Sequence, residues 1–469
     1  METLRHCLPS SVRRTLNELP ESLDETYERI LKEIKKPNQD HARRLLQCLV
    51  VAARPLRVRE LAEVLAVGFD DEEGIPKLNA DWRWEDHEQA LLSSCSSLIA
   101  IVDGHGWYDD DDDYSLDFWL YEDEDNDNYE DDDNGGDNNN DYEDTRGVQF
   151  SHFSVREFLT SPRLAASSGD VSRYHIDLER AHTILAQACV GVLLRLDDRV
   201  DEDDVLDSFP LAGYAAKHWV RHAQFGDASS YLRKAMEYLF DPDKPYFKAW
   251  LRLHDMDPFY DGESAFSLFT PIKKSPTTPL YYAALCGFHD LTKNLIVKHP
   301  QHVNADGGNY MRPLIAALTG KHFQTAELLH HNGANPNVRG RTMRTPLHSA
   351  AYHGHLKVVQ KLIEYGVDTN AQDAKGRTPL YTASEGINLD PNVIRLLLEC
   401  GVDVSARAAN RSTPLHKASH WGAVEVARML LEHGADIQAE DDKGRTPLRV
   451  AEEKKHHKLI KLLLEYGAK

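Results

Sequence analysis

The chain has 469 residues, of which 41% are hydrophobic and 28% are charged, so it can form two to four domains with sizeable cores. Its formal net charge is -22. The longest uncharged and mostly apolar run, residues 181–194, is shorter than the roughly 20 residues of a membrane-spanning helix. The first 14 residues contain no apolar signal core. We therefore expect a cytoplasmic protein, with a nuclear location as the alternative, and no contact with a membrane.

The cysteines point to the same kind of compartment. They lie far apart, with no CxxC pair and no metal-ligand spacing, which is typical of free thiols in a reducing environment. The six are Cys7, Cys48, Cys95, Cys189, Cys286 and Cys400.

The first predicted elements in the chain are helices. Ser22 and Glu25 have the spacing of a capping box, and the apolar residues that follow recur on one helical face. Residues 42–53 and 58–67 predict a second and a third helix, and residues 87–94 predict a short fourth one.

One acidic segment accounts for most of the negative charge. Residues 109–144 contain 19 aspartates and glutamates and no lysine or arginine, so the rest of the chain carries a net charge of only -3. Such a run repels itself and lacks a core-forming pattern, and we expect a disordered, solvated insertion. The alternative is a docking strip for a basic partner, in which the aromatic residues Trp119 and Tyr121 would take part.

Two short apolar runs flank the acidic segment. Residues 98–102 (LIAIV) and 148–152 (VQFSH) have the β-branched or alternating pattern of strands that pair as a hairpin. The acidic segment is then an overgrown hairpin loop. Helices followed by such a two-stranded wing predict a winged-helix module, in which we expect His152 to pack beside Val148 and Phe150 rather than act as a base or ligand.

The amino-acid sequences of these elements resemble those of a known family. LPESLDETYERIL (19–31), RPLRVRELAEVLAV (54–67) and VQFSHFSVREFL (148–159) are similar to the region after the nucleotide-binding NACHT domain in fungal NACHT-ankyrin proteins, relatives of the NOD-like receptors. The resemblance covers roughly residues 4–225, including PLAGYAAKHWVRH (210–222), which looks like that family's usual helix before the repeats.

Two features depart from that family. The acidic insertion is one, and the absence of the NACHT domain from this sequence is the other. The motif GxxxxGK[ST], whose glycines and lysine cradle nucleotide phosphates, occurs nowhere in the chain. The family's nucleotide switch is therefore not transferred, and we expect no nucleotide and no other cofactor.

The strongest signal is a repeat in the C-terminal part of the chain. Thr-Pro-Leu or a close variant recurs six times, and the successive prolines are 34, 33, 33, 35 and 33 residues apart. A period of 33 with the motif TPLH is the signature of ankyrin repeats. The prolines are Pro279, Pro313, Pro346, Pro379, Pro414 and Pro447.

Each repeat should be a helical hairpin. In the clearest copy, Pro346 begins the first helix, Gly354 turns the chain, and the second helix buries Val358, Val359, Leu362 and Ile363. The longer fourth spacing falls in the turn at residues 385–391, where a solenoid tolerates insertions, and the last copy carries the exposed charge of a capping repeat.

Together these patterns predict a mainly α fold. It consists of a winged-helix-like module with a small β-hairpin (1–165), a helical linker region (166–270) and an α-solenoid of about six ankyrin repeats (271–469).

The histidines have structural interpretations. His348 and His416 take the histidine position of TPLH, which in ankyrin repeats bonds to backbone and links adjacent turns. The clusters at 330–331, 353–355 and 456–457 fall at repeat turns or exposed helices without a third ligand, so we expect no metal site.

No catalytic residue stands out either. The chain lacks the GxSxG nucleophile elbow and any distinctive arrangement of Ser, His and Asp. The favoured function is therefore a non-enzymatic scaffold that binds protein partners through the repeats. The alternative is a nucleic-acid-binding regulator that uses the winged helix, but a wing loop with 19 acidic residues would repel a polyanion.

The partner-binding surface is predicted at the finger tips and the outward positions of the first helices, where large side chains dominate interface energy. Trp421 could instead pack on the neighbouring helix turn. The predicted contact residues are Arg339, Arg341, Tyr352, His353, Lys375, His420, Trp421 and Lys443.

Resemblance to the fungal receptors implies a role in recognition or non-self sensing, with the repeats as the sensing arm. Without a nucleotide domain, we expect either a truncated paralogue that acts as an adaptor or decoy, or a longer protein whose upstream exons are missing here.

The purified chain should not bind ATP or GTP specifically, because no phosphate-cradling motif is present. Isothermal titration with magnesium and each nucleotide tests this expectation. Micromolar, magnesium-dependent binding would contradict it.

Deleting residues 109–144 and closing the hairpin with a short turn should leave the melting temperature nearly unchanged, because the acidic composition predicts no packing role. Thermal unfolding of the full chain and the deletion variant provides the comparison. A loss of several degrees would mean that the segment packs against the fold.

Overall fold

The computed structural model describes residues 23–68, 75–79, 89, 92, 95, 97–102, 146–167, 169–197, 202–257, 277–308, 310–340, 342–385 and 390–469. The described residues are mainly helical and form two compact units, one ending at Asp255 and one within Met256–Lys469. None of the helices in these ranges is long and apolar enough to cross a membrane. The acidic segment, Ser22, Arg341 and most of the predicted helix at 87–94 lie outside the described residues.

The first unit begins with three helices and two hairpin strands close to their predicted positions, and with three short strands that the sequence did not predict. In chain order these are α1 (Leu23–Glu33), α2 (Gln39–Val51), β1 (Leu56–Arg57), α3 (Val58–Ala66), β2 (Val67–Gly68), β3 (Lys77–Leu78), β4 (Ile99–Val102) and β5 (Gly147–Phe150).

The predicted hairpin pairing is confirmed. β4 and β5 are antiparallel, with Ile101 opposite Val148, and β1 pairs with the other edge of β5. The result is a three-stranded sheet in the order β1-β5-β4, while β2 and β3 form a separate pair. Val148 and Ile99 are buried, so this small sheet has one face on the core of the unit.

His152 is not packed on the strand, and that expectation was wrong. β5 ends at Phe150, and His152 is the exposed N-cap of the next helix, where its Nδ1 accepts a hydrogen bond from Ser154 N at 3.2 Å. Its ring lies 4.4 Å from that of Phe153. The strand pattern had been extended two residues too far, because an N-cap residue keeps extended backbone angles.

The remainder of the first unit is helical. It contains α4 (Phe153–Leu159), α5 (Pro162–Ala166), α6 (Leu178–Leu193), α7 (Glu202–Ser208), α8 (Ala212–Ala223), α9 (Ala228–Tyr231), α10 (Arg233–Leu239) and α11 (Tyr246–Leu253).

Helix α8 lies in the core of this unit. Trp219 packs edge-on against Trp250 with 5.3 Å between ring centroids, and Trp250 Nε1 donates to the carbonyl of Ala216 at 2.9 Å. The same helix contributes to a buried hydrogen-bond network. The hydroxyl of Tyr214 accepts from Ala53 N at 3.0 Å and lies 2.8 Å from His222 Nε2. Burial lowers the pKa of His222 to about 3, so the imidazole in this network stays neutral at physiological pH.

The second unit consists of helix pairs. They are α12 (Pro279–Leu285) with α13 (His289–Lys298), α14 (Pro313–Thr319) with α15 (Phe323–His331), α16 (Pro346–Tyr352) with α17 (Leu356–Glu364), α18 (Pro379–Ala383) with α19 (Pro391–Glu399), α20 (Pro414–Trp421) with α21 (Val424–Glu432), and α22 (Pro447–Glu453) with α23 (His457–Glu465).

The first helix of every pair begins at the proline of the repeat motif. Proline has no N–H to lose in the first turn and its φ suits a helix, so this position starts a helix at little cost. The apolar stripe of the second helix is buried at Val358, Val359 and Leu362, as predicted. Ile363 is only half-buried, and Leu464 at the equivalent position of the last copy is 53% exposed.

Two motif histidines, His348 and His416, tie their own repeat to the next one, and this prediction is confirmed. His348 Nδ1 accepts from the backbone N–H of Thr345 at 3.1 Å, while Nε2 lies 2.9 Å from the carbonyl of Arg377, 29 residues along the chain. Because a backbone N–H can only donate, Nε2 must carry the ring proton. His416 repeats the arrangement with Thr413 N (3.2 Å) and the carbonyl of Arg445 (2.9 Å).

Acid should weaken these ties. Burial lowers the pKa of His348 to about 4 and also lowers that of His416, below the usual 6.5. A depressed pKa means that the unfolded chain binds the proton first, so the stabilisation is complete above pH 6.5 and is lost as the pH falls towards 4. We expect about 2 kcal/mol of unfolding free energy to be lost at His348 between pH 8 and pH 5, and a further loss in the same direction at His416.

Urea unfolding at several pH values measures this loss. The variant His348→Gln with His416→Gln should be less stable at pH 8 and should show a weaker pH dependence than the parent chain. His457→Gln, at an exposed histidine in the last repeat, is the matched control. Equal pH dependence in the parent and the double variant would refute the role of the two ties.

Candidate protein-binding surface

The loops before the first helices form a row of fingers. We number each finger by the repeat that it precedes: finger 3 (335–345), finger 4 (368–378), finger 5 (403–413) and finger 6 (436–446). Together with the exposed side of the first helices they make up what we call the inner face.

Backbone hydrogen bonds join the finger tips to one another. Ala374 N donates to the carbonyl of Thr342 at 2.8 Å, Ala409 N to that of Lys375 at 2.8 Å, and Asp442 N to that of Asn410 at 3.0 Å. Each tip is therefore held by the next, which limits the conformational entropy that the surface loses when a partner binds.

A buried aspartate shapes two of the fingers from inside. Asp373 Oδ1 accepts from the backbone N–H groups of Lys375 (2.8 Å) and Arg377 (2.9 Å). Asp441 makes the same two bonds to Lys443 and Arg445, each at 2.9 Å. These bonds turn the chain so that the lysine side chain lies at the exposed tip.

A network of charged side chains connects repeats three to five, and sequence reasoning missed it. Asp373 Oδ2 lies 2.7 Å from Arg377 Nη2 and 3.4 Å from Arg344 Nε, and Glu385 accepts from Arg377 Nη1 (3.3 Å) and Lys417 Nζ (2.8 Å). Burial alone would raise the pKa of Asp373, but hydrogen bonds from Arg377 and its charge hold that pKa below the usual value. Asp373 therefore remains ionised, and the network fixes the alignment of three repeats.

The two aromatic residues that are predicted to contact a partner lie on this face but differ in exposure. Trp421, the last residue of α20, is 55% exposed, and its ring stands edge-on to that of His420 at 5.1 Å. The turn of the next repeat reaches His420 instead, through His456 Nε2 at 3.0 Å from the His420 carbonyl. Tyr352 is half-buried, with the guanidinium of Arg344 5.9 Å from its ring centre.

The two predicted histidines beside these rings are partly buried. His353 stacks near His355 at 5.7 Å, and burial together with that neighbour lowers its pKa to about 4. Burial also lowers the pKa of His420. Both are uncharged at neutral pH, so they offer polar and aromatic contacts rather than positive charge.

The basic residues of the prediction play different parts. Lys375 and Lys443 are exposed at the tips of fingers 4 and 6. Arg339 is also exposed, but its Nη1 donates to the carbonyl of Gln372 at 2.9 Å and so ties finger 3 to finger 4. Arg341 lies outside the described residues.

The comparisons with known proteins agree with the repeat architecture. Residues 314–408 and 386–469 match the family described as ankyrin repeats in three copies, which confirms the predicted repeat type for this part of the chain.

A relative from Monascus ruber, named "Azaphilone pigments biosynthesis cluster protein L", is 29% identical over 310 residues. The aligned region is 64% of this chain and 57% of the relative, so the chain spans little more than half the length of that protein.

Proposed function

We propose that this protein is an interaction scaffold that binds other proteins through the inner face of its ankyrin repeats. The observation that carries this proposal is Trp421, a tryptophan 55% exposed on a helix whose fingers and neighbours are held rigidly. A large aromatic side chain exposed on a preorganised surface is the usual kind of interface anchor.

We further propose that residues 1–165, the beginning of the first unit, are a winged-helix module of the kind that follows the NACHT domain in fungal NACHT-ankyrin proteins. The order α1, α2, β1, α3, β4, β5 and the sheet order β1-β5-β4 support this proposal. In this scheme the chain, or the longer protein of which it is a part, acts in recognition, with the repeats as its sensing arm. The domain limits 1–165, 166–270 and 271–469 belong to the same proposal.

Affinity capture with the full chain as bait tests the scaffold role. Trp421→Ala with Tyr352→Ala should lower the affinity for a captured partner about tenfold or more, since anchor aromatics each contribute about 2 kcal/mol. The affinity would be measured by biolayer interferometry with the purified partner, after circular dichroism has shown that the variant is folded.

The matched control removes two exposed aromatic side chains from the first unit, Phe153 (73% exposed) and Tyr231 (64% exposed). Phe153→Ala with Tyr231→Ala should bind the partner like the parent chain. Binding that depended on this control pair and not on Trp421 and Tyr352 would place the interaction on the first unit.

A further inference from the structure

The two halves of the chain differ sharply in charge. Met256–Lys469 contains 26 lysines and arginines against 22 aspartates and glutamates, a net charge of +4 in a chain whose total is -22. The repeat half is thus basic although the protein as a whole is acidic.

The surplus is concentrated in repeats three to five. The described residues of fingers 3 to 5 and of the first helices that follow them (335–353, 368–385 and 403–421) hold seven lysines and arginines and four aspartates and glutamates. Finger 6 reverses the balance with four acidic and two basic residues. Before finger 3, Arg312 is 3.2 Å from Asp306, so that loop is balanced. The positive patch is therefore confined to repeats three to five, because the loops on either side of it carry no surplus of positive charge.

The four carboxylates of this patch are already engaged. Asp373 and Glu385 belong to the buried charge network. Asp368 and Asp403 accept from backbone N–H groups two residues along the chain, at 3.0 Å and 2.9 Å.

The exposed cations of the patch have no such partner. Within the described residues, Lys375 and Arg411 form no ion pair, and both are exposed at finger tips. Arg339 and Arg407 each donate from Nη1 to the backbone carbonyl of the next finger, at 2.9 Å and 3.4 Å. A carbonyl does not neutralise a guanidinium, so four exposed positive charges remain uncompensated.

An apolar anchor adjoins these charges. Lys417 and Trp421 are four residues apart on α20 and so share one side of that helix. Lys417 points to Glu385 of the preceding repeat, while Trp421 remains 55% exposed. A ligand that reached the fingers from this helix would meet an aromatic surface at one end and positive charge at the other.

We propose that the inner face of repeats three to five binds a peptide segment of a partner protein that is rich in aspartate and glutamate and carries a large apolar side chain. Its carboxylates pair with Lys375 and Arg411, and its apolar side chain packs on Trp421. The proposal rests on the scaffold function and names the partner's chemistry. A nucleic acid is the other polyanion that exposed cations attract, and an oligonucleotide is therefore a comparison ligand in the test.

A fluorescein-labelled peptide of glutamate, serine and glycine with one central leucine is the probe, and its fluorescence anisotropy reports binding to the full chain. A twin with glutamine in place of glutamate and a single-stranded oligonucleotide are the comparison ligands. The titration is repeated with the variant that lacks residues 109–144, so that the chain's own carboxylates do not lower the apparent affinity.

We expect the glutamate peptide to bind at least tenfold more tightly than its glutamine twin, and to weaken several-fold as salt rises from about 50 to about 200 mM. Lys375→Glu with Arg411→Glu should weaken binding about tenfold, as should Trp421→Ala. The matched control, Lys357→Glu with Lys458→Glu, makes the same charge change at exposed positions of the second helices α17 and α23 and should bind normally.

Equal binding of the two peptides, tighter binding of the oligonucleotide, or an equal effect of the control pair would each overturn the proposal. If the glutamate peptide fails to bind while a captured partner still depends on Trp421, this inference fails and the scaffold function stands. If neither binding depends on Trp421 or Lys375, the inner face itself is the wrong surface.

Discussion

The hydrogen bonds of the motif histidines are the interaction on which the repeat half depends. His348 joins the start of its own helix, at Thr345, to the finger of the next repeat, at Arg377. The bond holds the end of finger 4, and the backbone bonds between finger tips hold its middle. His416 makes the equivalent bonds, to Thr413 and to Arg445 in finger 6. The arrangement of Lys375, Arg411 and Trp421 is therefore a consequence of how repeats are joined.

The network of buried charged side chains further restricts how repeats three, four and five stack on one another. Arg344 and Asp373 are almost fully buried, with 4% and 1% of their side chains exposed. Taking such charges out of water costs free energy, and a buried pair of this kind often stabilises a fold no better than apolar residues would. Its effect here is selective, because only one register of repeats three, four and five brings Arg344, Asp373, Arg377, Glu385 and Lys417 together. The network thus holds the inner face in one geometry.

These contacts divide the basic residues of the inner face into those that are bonded within the fold and those that are available to a partner. Arg377 and Lys417 are held by carboxylates, and Arg339 and Arg407 hold the neighbouring fingers. Lys375 and Arg411 remain at the tips. A surface built in this way presents a few positive charges on a rigid scaffold beside one exposed tryptophan. Binding to it would cost little conformational entropy, which favours recognition of a flexible partner segment.

The sequence by itself determined what depends on neighbouring residues or on a fixed period. The helix pairs follow from the 33-residue repeat, the helix starts from Pro346 and its equivalents, and the pairing of β4 with β5 from two apolar runs. The role of His348 followed from its place in the motif. Only the tertiary structure decided that His152 is an exposed cap, that Arg339 ties two fingers, and that Arg344 meets Asp373. These outcomes depend on where a strand stops, or on contacts between residues about one repeat apart, which come within bonding distance only when the repeats stack.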